Sequence, residues 1–95
     1  MTAKKLKVCL IGIGNIGLLH LDMYQLTPDL CEVVVVDKDP TKRKSAEERG
    51  SKFFETLEEA LNYSEFDLID ISAPTNLHYR IAKNALALSD ATLIS

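Results

Sequence analysis

The residues in this 95-residue sequence whose types and spacing could do chemistry begin with Gly12-Ile13-Gly14-Asn15-Ile16-Gly17. Glycines spaced G-x-G-x-x-G suit a loop that must carry phosphate, and each has its own task. Gly12 permits a tight turn off a strand, Gly14 lets the backbone approach a pyrophosphate, and Gly17 lets a following helix pack closely on a sheet. The backbone amides near Asn15 and Ile16 then point at the phosphates, helped by the positive end of the helix. The second candidate is Asp37, 20 residues beyond Gly17. A carboxylate there can accept hydrogen bonds from the hydroxyls of an adenosine ribose. Lys38 follows it, and with Lys42 and Arg43 it is the group that could swing toward a phosphate on that ribose.

The third candidate is Ser72-Ala73-Pro74-Thr75-Asn76-Leu77-His78. Pro74 stiffens a turn, and Thr75 or Asn76 can cap a helix after it. By residue type alone, Asn76 and His78 are equally a cap and an exposed first-turn residue. His20, three residues past Gly17, reads as a packing or surface histidine rather than a catalyst.

The elements that must hold these residues follow from the pattern around them. Lys7 to Ile11 is a short β-rich run leading straight into the glycines. Ile16, Leu19, Met23 and Leu26 then recur at helical spacing, so a helix with that apolar stripe is expected, ending near Thr27-Pro28. Val33 to Val36 is a continuous β-branched run, the mark of a strand buried on both faces of a parallel sheet. Asp39-Pro40 reads as the cap and first residue of a helix and Gly50 as the residue past its end. Only Ala46 is apolar between them, so this helix lies on the surface. Lys52 to Phe54 forms a third strand. Thr56-Leu57-Glu58-Glu59 opens a short helix with a capping-box pattern. Leu68 to Ile71 is a fourth strand. Leu77, Ile81, Ala85 and Leu88 mark another helix, and Ala91 to Ile94 a fifth strand. Strands alternating with helices predict one α/β domain over residues 1–95, a Rossmann-type parallel sheet ordered 3-2-1-4-5 with helices on both faces. The third candidate then lies at the carboxyl edge of the sheet, where ligands of open α/β sheets bind. The fifth strand is an edge, and an exposed edge offers a route to self-association.

Composition narrows the function classes. The apolar fraction of 46% and charged fraction of 26% are those of a soluble globular domain. A net charge of −3, with both signs interspersed, gives no reason to expect nucleic acid or an anionic membrane as partner. The apolar runs fall far short of the ~20 residues that span a bilayer. Cys9 and Cys31 lie beside strand-like runs without metal-ligand spacing, and they read as small hydrophobes in a reducing, cytoplasmic setting. No metal site is expected.

Together these motifs resemble the glucose–fructose oxidoreductase/inositol dehydrogenase family, Gfo/Idh/MocA, in its N-terminal cofactor domain. The resemblance rests on Gly12 to Gly17 followed by Leu18-Leu19-His20, on Val35-Val36-Asp37, and on Pro74-Thr75-Asn76-Leu77-His78 with Ala85-Leu86. The last, a P-x-x-x-H stretch, is the most specific. The resemblance implies an NAD(P) cofactor and places Pro74, Asn76 and His78 beside its nicotinamide half; Ser72 and Ala73 are further cofactor-binding candidates, and the Asp37 carboxylate favours NAD over NADP. It further implies an oxidoreductase that moves hydride from a secondary alcohol of a sugar, cyclitol or related polyol. In the family a Glu-Lys-Pro motif directly follows the fifth strand and a second domain binds substrate. Ser95 stands about where that glutamate belongs, so the catalytic lysine and substrate domain are expected beyond it, and the 95 residues alone are expected to be inactive. Ser89-Asp90 departs from the glycine usual after the family's helix. Two other readings remain open on the residues: a stand-alone nucleotide-binding or regulatory module, and a Rossmann domain for another adenosine ligand such as S-adenosylmethionine.

Overall fold

The computed structural model of the protein describes residues 5–72 and the backbone of 92–94. Strand β1 (Leu6–Ile11) is followed by helix α1 (Asn15–Gln25), strand β2 (Cys31–Val36), a short 3-10 turn (Pro40–Lys42) and helix α2 (Arg43–Glu48). Strand β3 (Lys52–Phe54), helix α3 (Leu57–Tyr63), strand β4 (Leu68–Ile71) and strand β5 (Thr92–Ile94) complete it. The sheet is parallel throughout and ordered β3-β2-β1-β4-β5. This is the expected order. The expected helix over Leu77 to Leu88 lies outside the described residues.

The central strands are apolar on both faces because both faces are covered. Val8, Leu10, Val33, Val35 and Phe53 meet Leu21 of α1 and Ala46 of α2 on one side. Cys9, Ile11, Val34, Val36, Ile69 and Ile71 meet Leu57 and Ala60 of α3 on the other. Helices therefore cover both faces. Burial without a charged partner pushes the Cys9 thiol up to about 12, so it behaves as one more core hydrophobe. Cys31 is half-buried, and both cysteines are free.

Local caps follow the sequence closely. The Asp39 carboxylate accepts from the Thr41 backbone N–H at 3.0 Å and from its hydroxyl at 2.7 Å. Those two bonds hold its pKa below the ordinary carboxylate value. Gly50, past the end of α2, has φ +78°, a conformation that side chains rarely adopt. The Thr56 hydroxyl accepts from the Glu59 N–H at 3.2 Å and caps α3. The capping box is only half formed in the expected sense, since the Glu59 carboxylate takes the Thr56 hydroxyl proton at 3.1 Å.

The expected helix is present as α1, and its stripe Ile16, Leu19, Met23 and Leu26 turns away from the sheet; these residues are 56–81% exposed. The buried residues of α1 are Gly17 and Leu21, with Leu18 and Tyr24 packed beside them. The helix rolls this way because Gly17 alone lets it touch the chain beneath it. A Cβ on Gly17 would stand 2.0 Å from the Gly12 carbonyl oxygen. With Gly17 inward, positions four and seven further on, Leu21 and Tyr24, must follow it.

Candidate dinucleotide site

The glycine loop, Asp37 and Ser72, the one described residue of the third candidate, converge at the carboxyl ends of β1, β2 and β4. Strands β1 and β4 are neighbours, and the chain runs outward from them in opposite directions along the sheet. The crevice at such a switch point is where open α/β sheets bind ligands. The turn out of β1 is built on Gly12, whose φ of +88° lies in the left-handed region. Its N–H donates to the Val36 carbonyl at 2.8 Å, which fastens the start of the turn to β2.

Gly14 is the N-cap of α1 and supplies no side chain to the first turn. The amides of Asn15 and Ile16, both exposed residues, therefore lack intrahelical acceptors. A Cβ on Gly14 would meet nothing within 4 Å, and its φ is an ordinary −69°. Neither backbone geometry nor packing requires glycine here. Open space over an uncapped helix N-terminus is what an approaching anion requires, and a side chain would fill it. Gly17 has the opposite reason, direct packing, as the contact with Gly12 shows.

Asp37 sits half-buried just past β2. Its Oδ2 accepts from the Ile13 N–H at 2.9 Å and its Oδ1 from the Asp39 N–H at 2.9 Å. Two backbone amides thus fix the carboxylate, and each oxygen keeps a lone pair for a further donor. Lys38 is exposed. Ser72 lies just past β4. Its N–H continues the ladder to the Ile11 carbonyl at 2.9 Å, and its hydroxyl donates to the Gly12 carbonyl at 2.6 Å. The structure thus brings Gly12, Gly14, Asn15, Ile16, Gly17, Asp37 and Ser72 together around one loop. Ala73, Pro74, Asn76 and His78 lie outside the described residues. Among the described residues no group of His, Cys, Asp and Glu could hold a metal ion. No helix among them is long and apolar enough to cross a membrane.

Beside the loop lies a cluster that sequence reasoning missed. Asp70, the third residue of β4, is 1% exposed. Its Oδ2 takes hydrogen bonds from the Tyr24 hydroxyl at 2.7 Å and from His20 Nδ1 at 3.0 Å. Oδ1 has no partner among the described residues. Burial, then the bond to Asp70, drives the Tyr24 phenol above its ordinary pKa. His20, read from the sequence as a packing or surface histidine, is half-buried and has in Asp70 a partner that the sequence reading did not foresee. A charged residue inside an apolar strand was the available signal.

An open helix end, a fixed carboxylate and a switch-point crevice are features that a dinucleotide site would use. A family model described as an oxidoreductase family with an NAD-binding Rossmann fold, GFO_IDH_MocA, matches residues 6–94. The chain belongs to the Gfo/Idh/MocA oxidoreductase family. Its cofactor is the NAD of that family's Rossmann domain. No curated protein matches the sequence significantly.

The chain is also similar to solved structures. It is similar to the WlbA dehydrogenase from Chromobacterium violaceum in complex with NADH and UDP-GlcNAcA: 26% identity, TM-score 0.80, 93% of this chain and 26% of that one. It is similar to a myo-inositol dehydrogenase from Corynebacterium glutamicum: 26% identity, TM-score 0.74, 95% of this chain and 28% of that one. An NAD-binding protein from Listeria innocua shares 29% identity, with TM-score 0.76, over 95% of this chain and 27% of that one. The chain thus spans just over a quarter of the length of each of these structures.

Proposed function

We propose that these residues form the cofactor-holding domain of an NAD-dependent dehydrogenase that oxidises a secondary alcohol of a sugar, cyclitol or related polyol. The observation that carries the proposal is the empty space over Gly14, set between the uncapped start of α1 and the Asp37 carboxylate. In this reading the Asn15 and Ile16 amides hold the pyrophosphate. Asp37, already fixed by the Ile13 and Asp39 amides, accepts from the adenosine ribose hydroxyls. A 2′-phosphate would bring negative charge against that carboxylate, so NAD is favoured over NADP despite Lys38 nearby. The bound nicotinamide supplies the hydride acceptor.

The substrate class is supported by the relatives, an inositol dehydrogenase and an enzyme bound to UDP-GlcNAcA. We assign turnover to a protein of the relatives' full length, because hydride transfer also needs a substrate held roughly 3–3.5 Å from the nicotinamide and a positioned proton carrier. Calorimetry tests the binding reading. The parent sequence should bind NAD more tightly than NADP, and Gly14→Val should bind neither. Equal NAD affinity for that variant and the parent would defeat the loop assignment. Incubated with NAD and a panel of sugars and cyclitols, the 95 residues should generate no NADH absorbance above a protein-free blank. Saturable turnover that vanishes in His78→Ala would place catalysis inside this domain.

A further inference from the structure

Ser72 enters the site in a way its position in the sequence did not reveal. From the end of β4 its hydroxyl reaches across to the glycine loop and donates to the Gly12 carbonyl at 2.6 Å, with the Ile11 carbonyl 3.4 Å away. A hydroxyl has one proton, and this one is committed to the loop. It is not available to donate to a dinucleotide. The Gly12 carbonyl is also the atom against which Gly17 packs, and a Cβ on Gly17 would come within 2.8 Å of Ser72 Oγ. Thus β4, the turn out of β1 and the first turn of α1 meet at one small junction. The Gly12 peptide is fastened on its other side by its N–H to Val36, and the next amide, Ile13, donates to Asp37. Ser72 supplies the bond on the carbonyl side.

We propose that Ser72 is a positioning residue for the pyrophosphate site, holding the Gly12 peptide so that the Asn15 and Ile16 amides stay aimed at the ligand, and that it does not itself bind the cofactor. The ligand arm of the test rests on the dinucleotide reading above. Without the hydroxyl, the Gly12 carbonyl loses its partner, and the Gly12–Ile13 peptide is held on its amide side alone, by the Ile13 N–H to Asp37. Ser72→Ala should weaken NAD and ADP-ribose by the same factor, about 3- to 10-fold for one hydrogen bond. Adenosine, which has no phosphate to feel the loop, should bind unchanged.

Calorimetry for the two phosphorylated ligands and an NMR titration for adenosine make this comparison. Amide hydrogen exchange on the ligand-free protein makes an independent one. Exchange should quicken at Gly12, Ile13 and Leu18, the hydrogen-bonded amides of the loop and of the first turn of α1, in Ser72→Ala and stay unchanged in the strands. Ser72→Thr keeps the proton donor and should restore both readouts. If Ser72→Ala does not fold, Ser72→Cys, with a weaker donor, takes its place in both measurements. A loss confined to NAD, with ADP-ribose unaffected, would mean that Ser72 touches the nicotinamide half and would overturn the proposal. Unchanged loop exchange would overturn it as well. If the parent sequence binds no dinucleotide, the functional reading fails, and the exchange experiment alone decides the role of Ser72.

Discussion

Replacing Gly17 by alanine should unfold this domain more readily, whereas the same change at Gly14 should leave its stability almost untouched. The added Cβ at Gly17 would lie 2.0 Å from the Gly12 carbonyl oxygen, 2.9 Å from its carbon and 2.8 Å from Ser72 Oγ. Real Cβ contacts essentially never fall under 3.0 Å, so the loop and α1 must part by about 1 Å. The nearest atom belongs to backbone and cannot swing aside as a flexible side chain would. Either α1 lifts from the sheet and loosens Leu21, or the Gly12–Ile13 peptide turns and gives up its bonds to Ser72 and Asp37. Overpacking of this kind costs about 1–3 kcal/mol and a lost hydrogen bond roughly 1 more, so a loss of about 2–4 kcal/mol is expected. In a domain of this size each kcal/mol shifts Tm by about 4–8 °C, which predicts a fall on the order of 8–32 °C. At Gly14 the Cβ enters open space at an ordinary φ, and exchange between glycine and alanine at an N-cap should move stability by less than about 1 kcal/mol. Thermal melts followed by circular dichroism, with calorimetric titration of NAD, separate the two. Gly17→Ala should lower Tm, and Gly14→Ala should keep Tm and lose NAD affinity. A Gly17→Ala variant melting within a few degrees of the parent would refute the packing argument. A Gly14→Ala variant that binds NAD normally would refute the view that its open space is reserved for ligand.

Three further outcomes follow from named groups. Asp37→Ala should cut NAD affinity by about 10-fold or more, as loss of hydrogen bonds to a charged acceptor does, and narrow the gap between NAD and NADP in parallel titrations; an unchanged gap would remove Asp37 from cofactor selection. The Tyr24 phenol, with a folded pKa raised above its unfolded value of about 10, contributes stability that is complete below that value and is lost as pH climbs through the folded pKa. Denaturant unfolding across the alkaline range should show that decline, and Tyr24→Phe should flatten it while lowering stability at neutral pH by about 1–3 kcal/mol, because Asp70 would lose a buried donor. Cys31 should react with iodoacetamide in the native protein well before Cys9, whose buried thiol is pushed up to about 12, as mass spectrometry of labelled peptides would show; equal rates would contradict the packing of β1.

Much of the fold was legible because its signals are local. Val33 to Val36 can be read as a doubly buried strand because a parallel sheet asks for apolar side chains on both faces. Asp39 and Thr56 can be read as caps because the amides they satisfy lie two and three residues away. Gly12 and Gly14 announced the loop because they directly follow the first strand, and Asp37 stands at the same sheet edge because it directly follows the second. The roll of α1 was not legible. Helical spacing identified Ile16, Leu19 and Met23 as one face but not which face meets the sheet, and the decision fell to Gly17, through an atom of Gly12 that touches it only in the folded chain. Asp70 carried no local sign of its partners, since Tyr24 and His20 are 46 and 50 residues away. Nor could the spacing say that the Ser72 hydroxyl turns to the loop. Sequence period determines which residues travel together along a helix or strand. Contacts made only in the folded chain decide which way those residues face, and in α1 the deciding one is Gly17 against the Gly12 carbonyl oxygen.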